Sequence, residues 1–205
     1  MKMNKKTILI IIVVVVIVVA VAAIVVLGGH HGEPAQTTEN GSGQNQPTQQ
    51  APALYTSSAD GFSVGLPGTP TIASKTVKSP TAGTISETDY TFVSSAAGKG
   101  ILYMIVVFHY PATYQFSSNY LTGALQMFTA VINGKYPGTT VAAQPQSQFL
   151  GGPAISGSVT VPFMGTPTAG NVLITTKNHN SYVVSAYGLS QNDYNAFLNS
   201  FTFTQ

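Results

Sequence analysis

Cysteine, arginine and tryptophan are all missing from the 205 residues, and only 7% of the chain is charged. Without cysteine there is no disulfide, no thiolate nucleophile, no Cys-held metal and no lipid-bearing residue of a lipoprotein. Without arginine the chain lacks the planar fork that grips phosphate or carboxylate at two points. The formal net charge is +2, but Lys2, Lys5 and Lys6 all precede residue 8. Beyond residue 52, Lys75, Lys78, Lys99, Lys135 and Lys177 stand against Asp60, Glu87, Asp89 and Asp193. That near balance provides no basic patch and argues against a nucleic-acid partner.

Polar side chains are absent altogether from residues 8–27, ILIIIVVVVIVVAVAAIVVL. Twenty residues at a 1.5 Å rise reach roughly 30 Å, the thickness of a bilayer core, and in lipid the backbone must bond to itself. The spacing predicts a transmembrane helix over 8–27 behind a basic, cytoplasmic 1–7. The lysine asymmetry places everything after Leu27 outside. The competing reading is a cleaved signal peptide and a secreted product, because Ala20-Val21-Ala22 matches a small-residue cleavage site. The apolar run continues past Ala22, where a cleavage region turns polar, which favours a retained single-pass anchor in the cell membrane. Residues 28–52 are rich in Gly, Pro, Gln, Thr and Asn. They read as a flexible linker reaching on the order of 25–30 Å. One extracytoplasmic domain is expected over 53–205.

Within that domain the periodicity is mostly of strands. Phe62, Val64 and Leu66 alternate, as does a polar stretch over 71–78 and a third over 84–94. ILYMIVVFHY, residues 101–110, is apolar on both faces and reads as a central strand paired with 84–94 in a hairpin. Leu121, Leu125, Phe128 and Ile132 recur on one helical stripe, with Ser117 or Ser118 as cap and Gly134 at the end. Strands are expected over 141–150, 155–163, 171–177 and 181–187, the last two joined by a turn at Asn178-His179-Asn180. A short helix from Ser190-Gln191-Asn192-Asp193 then buries Tyr194, Phe197, Leu198 and Phe201. The sum is an α+β domain, an antiparallel sheet of about six to seven strands with two helices packed on it.

Several motifs offer chemistry. Gly61-Phe62-Ser63-Val64-Gly65 is a literal G-x-S-x-G. A nucleophile elbow needs a helix after its serine, and Leu66-Pro67-Gly68-Thr69-Pro70 forbids one. Ser63 therefore reads as a strand residue facing away from Phe62 and Val64. The same LPGTP departs from a sortase signal at its fifth position and reads as a turn. His30 and His31, with Glu33, are too few ligands for a closed metal site, so no metal or cofactor is expected. Asn40-Gly41-Ser42 is a lone glycosylation sequon in the linker. A hairpin centred on Gly98 pairs positions summing to 196, which sets Glu87 opposite His109 and Val93 opposite Tyr103. That makes Glu87 and His109 a cross-strand pair, structural or the holder of a general base. Tyr110, Tyr114, Phe116 and Tyr120 cluster around Pro111 and could stack a ligand or fill the core.

The order of these segments carries a resemblance. "GFSVGLPGTP", a hairpin ending in "YMIVVFHYP", a helix, "FLGGPAISGSVTV", "NHNSYVVSAYG" and a terminal "NAFLNSFTF" together resemble the PsbP-like superfamily over most of residues 55–205. The group includes a photosystem II subunit, a Ran-binding transport factor and many bacterial extracytoplasmic proteins. The resemblance implies an antiparallel sheet with helices on its faces and a binding or accessory role rather than catalysis. A partner would be an extracytoplasmic protein or a component of the cell envelope. The rival roles are a surface hydrolase using Ser63 or His109, and a structural or adhesive surface subunit. Type IV pilins carry a Glu near the start of their apolar helix, and 7–27 here has no acid.

Overall fold

A strand apolar on both sides must be buried on both, and Ile101–His109 (β5) lies inside an eight-stranded antiparallel sheet. The computed structural model describes residues 52–94, 100–163 and 166–204. The expected cytoplasmic segment, membrane helix and linker, and most of the turn at 96–100, fall outside them. No helix among the described residues is long and apolar enough to cross a membrane.

Chain order begins with β1 (Ala53–Ser57), β2 (Phe62–Leu66), β3 (Thr71–Ser79), β4 (Gly83–Ser94) and β5. Helix α1 (Tyr120–Lys135) is followed by β6 (Thr140–Ala143), β7 (Ser147–Phe149), β8 (Gly152–Phe163), β9 (Thr166–Lys177) and β10 (Asn180–Tyr187). The chain ends with α2 (Gln191–Ser200) and β11 (Thr202–Phe203). The large sheet runs β3-β4-β5-β10-β9-β8-β6, with β7 also paired to β8. A separate three-stranded sheet runs β1-β2-β11.

Side-chain alternation sends the two sets of apolar residues to opposite faces of the large sheet. On one face Tyr90, Ile105, Val107, Tyr182, Val184 and Ala186 meet Phe62, Val64 and Leu66 of β2 and Tyr194 and Phe197 of α2. Phe62 is the hub, stacked on Phe201 at 5.3 Å and edge-on to Tyr90 at 5.1 Å. On the other face Val106, Ile155, Val172, Ile174 and Val183 receive Leu121, Leu125 and Ile132 of α1. The contacts of α1 concentrate on β6, β8 and β9. The helix thus packs less closely over the β3–β4–β5 half of its face.

The helix stripe and most strands lie where the periodicity puts them. The large sheet has eight strands rather than six or seven, because 141–150 divides into β6 and β7. Strands β1 and β11 carry too few alternating residues to announce themselves. Asn119, without a side-chain cap bond, starts α1 in place of Ser117 or Ser118, and Gly134 lies inside the last turn. Helix α2 begins as expected: Ser190 Oγ accepts from the Asp193 amide and donates to its carboxylate.

The β4–β5 register differs by one residue from the expected one. Ser86 pairs with His109, Glu87 with Phe108, and Phe92 with Tyr103. A slip of one residue exchanges faces, so Glu87 and His109 lie on opposite sides of the sheet and are not a cross-strand pair. Because β5 is apolar on both faces, its pattern is indifferent to the slip. Tyr90 of β4 selects the register by entering the core around Phe62.

Candidate functional site

His109 leaves β5 on the face covered by the small sheet, and its partner there is Asp60. This aspartate occupies the β1–β2 turn, where Gly61 adopts φ 68°, a conformation that glycine accepts without strain. Asp60 is buried at 4% exposure and anchors a continuous network. Its Oδ1 is 2.6 Å from His109 Nε2, and its Oδ2 accepts from the Tyr90 hydroxyl. Ser57 Oγ bonds Tyr90 at 2.8 Å and accepts the Asp60 amide at 3.2 Å.

The directions of these bonds fix the protonation of the imidazole. Tyr182 donates to the Asp60 carbonyl at 2.9 Å, so its oxygen accepts from the Asn180 amide nitrogen at 3.2 Å. This assigns Asn180 Oδ1 to His109 Nδ1, 3.0 Å away, and an amide oxygen only accepts. Nδ1 therefore bears a proton, and Nε2 bears another because it faces a carboxylate. Below its raised pKa His109 is therefore an imidazolium with both nitrogens engaged. The Asp60 bond raises its pKa against the opposing effect of burial. Burial alone would raise Asp60, but its bonds from His109 and Tyr90 outweigh that and hold it below 3.8. The constellation bolts the small sheet to the large one.

Ser63 is equally occupied. It lies in β2, 6% exposed, with its hydroxyl 2.9 Å from that of Thr202 in β11. The Ser63→Ala variant is expected to lose about 1 kcal/mol of stability, one ordinary hydrogen bond. A urea titration reads that loss. Any ester or peptide hydrolysis found in the wild type and abolished in this variant would reinstate a nucleophile.

On the opposite face, Glu87 sits at 1% exposure beside Asp89, with Lys75 of β3 reaching both carboxylates at 2.7 and 3.7 Å. Burial, with the Asp89 charge added and Lys75 opposing, pushes Glu87 up to about 7. Burial raises Asp89 as well. The two carboxyls also lie within hydrogen-bonding reach of each other, a contact that raises Glu87 and lowers Asp89. Among the described residues no group of three or more His, Asp or Glu could hold a metal.

Where α1 stands off that face, a cavity of about 410 Å³ opens between the helix and the sheet. Its floor includes Val77, Ile85, Leu102, Met104, Phe108 and Val183, and its roof Ala124, Met127, Phe128 and Val131. Tyr110, Tyr114 and Tyr120 close one end. Tyr110 stacks on Tyr114 at 4.6 Å and bonds the Tyr120 hydroxyl at 3.0 Å, while Phe116 packs edge-on against all three tyrosines. The four aromatic candidates thus form one cluster, and three of them line the cavity. Tyr187 lines the other end, lying over β9 where a Cβ on Gly170 would be 2.4 Å from its ring. The buried hydroxyls of Ser181 and Tyr187 line this space beside the hydroxyls of Tyr120 and Ser185, without reaching the geometry of a full hydrogen bond.

The periodicity named the aromatic cluster and His109 but missed Asp60, Asn180, Tyr182 and the cavity itself. Asp60 stands immediately before Gly61, in a turn where Asp is ordinary. Its partners from the large sheet are 30 to 122 residues away in sequence. A cavity that depends on where a helix stops covering a sheet leaves no local signal.

No protein-family model matches the chain, and no curated protein matches it. Among solved structures, it is similar to the solution structure of cyanobacterial PsbP (CyanoP) from Synechocystis sp. PCC 6803, with a TM-score of 0.51 and 12% identity. That match covers 82% of this chain and 98% of the other. A protein of unknown function from Pseudomonas aeruginosa aligns with a TM-score of 0.31 and 13% identity, over 70% and 86% of the two chains, too low to bear on the fold. At these identities the likeness concerns architecture: the chain has a PsbP-like α+β fold.

Proposed function

We propose that this PsbP-like fold serves as a non-enzymatic binding module, held outside the cell membrane by residues 8–27 and taking a small apolar ligand between α1 and the sheet. The observation that carries the reading is the 410 Å³ cavity, lined by aliphatic and aromatic side chains with a few convergent hydroxyls. Its size falls within the roughly 300–1,000 Å³ of small-molecule sites. Buried hydroxyls with only poorly aligned neighbours support a ligand that supplies some of their bonds, since such groups are costly to leave unmade. The engaged nitrogens of His109 and the engaged hydroxyl of Ser63 speak against the hydrolase reading.

The absence of tryptophan allows a direct test. Met127→Trp places a single indole in the cavity roof, and Leu54→Trp places one on β1 at a position 70% exposed. A brominated apolar ligand is expected to quench the first at least tenfold more effectively than the second. Equal quenching of both would mean that the cavity does not bind.

A further inference from the structure

The two ends of the cavity are electrically different. Lys135, in the last turn of α1, is the one charged residue among the described residues that line it. Tyr187, whose hydroxyl lies beside that of Ser185 without a well-formed bond, is at the same end, because β10 pairs it with Leu102 at the start of β5. Val93, paired with Leu102 from the other side, is 46% exposed and marks a mouth there. At the far end are Tyr110, Tyr114 and Tyr120. The charge of Glu87 reaches Tyr110 and contributes to raising its pKa, after burial and the neighbouring Tyr120. An anion is therefore favoured beside Lys135 and disfavoured beside the aromatic cluster.

The distance between these ends follows from the elements that span it. Tyr120 to Lys135 is 15 helical steps, about 22 Å at 1.5 Å each. Ser181 to Tyr187 is six strand steps, about 20 Å. A space that is long, apolar in its middle and cationic at one mouth fits one extended chain with one anionic end.

We propose that the cavity takes a single-chain amphiphile, a long-chain alkyl carboxylate, with its head against Lys135 and Tyr187 and its chain running toward Tyr110. This rests on the binding reading above and adds to it the class of ligand and its direction. Burial lowers the pKa of Lys135, and a bound carboxylate replaces the solvation that burial removes. The Tyr187 hydroxyl, which has only the poorly aligned Ser185 hydroxyl beside it, gains a carboxylate acceptor.

The test uses the full chain in lipid vesicles and two photoactivatable long-chain carboxylates, with the diazirine beside the head in one and at the chain end in the other. The first is expected to label the neighbourhood of Lys135, including Leu102 and Tyr136, and the second that of Phe108 and Tyr114. Lys135→Gln is expected to cut both labellings about tenfold, as the loss of a hydrogen bond to a charged group does. Lys135→Arg keeps them, which separates loss of charge from loss of fold. A photoactivatable alcohol of the same length labels more weakly and is indifferent to Lys135→Gln. Cavity labelling in which alcohol and carboxylate are equivalent, or the two ends are reversed, overturns this inference and leaves the binding reading standing. Labelling confined to residues 8–27 or to a contact between two copies, or no labelling of the cavity by any probe, overturns both.

Discussion

Replacing Asp60 with alanine is expected to destabilise the fold by about 3–5 kcal/mol, the range for removing one partner of a buried charged pair. The substitution strands the His109 imidazolium and takes the acceptor from the Tyr90 hydroxyl, in a residue only 4% exposed. The His109 side chain is 28% exposed, so water recovers some of its solvation and the effect should fall at the lower end. The loss also depends on pH. Because the folded-state pKa of His109 is raised above 6.5, its contribution is complete below 6.5 and disappears as pH rises through the folded value. Because that of Asp60 is held below 3.8, its contribution is complete above 3.8 and disappears as pH falls through the folded value. The difference between wild type and variant should therefore be greatest between about pH 3.8 and 6.5 and should shrink on both sides. Urea midpoints collected across that range check it, and a flat difference would mean that the pair is not charged as the bond directions require.

Lys75→Met is expected to cost a similar amount, about 3–5 kcal/mol above neutral pH, and much less in acid. Among the described residues the ammonium is the only counter-ion provided to Glu87 and Asp89, two carboxylates on one buried strand face. With the folded-state pKa of Glu87 at about 7 and its ordinary value at 4.5, the folded chain keeps a proton that the unfolded chain releases between them. Wild-type stability from this residue thus declines as pH rises from 4.5 to about 7 and is constant beyond. Removing Lys75 raises both carboxyls further, so the decline extends to higher pH. Glu87→Gln combined with Lys75→Met should restore most of the loss, since the amide carries no charge to strand. If Lys75→Met unfolds equally readily on both sides of neutrality, the charge cluster is not the cause.

The regions of the fold legible in the sequence are those that a single segment specifies. Leu121, Leu125, Phe128 and Ile132 need only a helix to share a face, and Phe62, Val64 and Leu66 need only a strand. Ser190 and Asp193 close a cap within four residues. The Glu87–His109 pairing failed because register is a property of two strands at once, and the both-sided apolarity of β5 withheld the information. Asp60 failed for a related reason: its four partners come from β1, β4, β5 and β10. Tyr110, Tyr114, Phe116 and Tyr120 were visible as a group because eleven consecutive residues contain them all. Their cavity was not, because it is bounded by what α1 fails to cover.

Strand β1 touches the rest of the domain chiefly through β2, from Ala53↔Leu66 at the open end to Ser57↔Phe62 beside the turn. A pull transmitted through the residues that precede Ala53 acts on the open end, so the pairs separate in succession like a zip. The large sheet first shares that load at Tyr55, whose ring packs on Tyr90 at 5.7 Å, and then at the Ser57 and Asp60 network. The first strand is thus the part of the domain that tension on the preceding chain meets first, and the cavity lies on the far face of the large sheet from it.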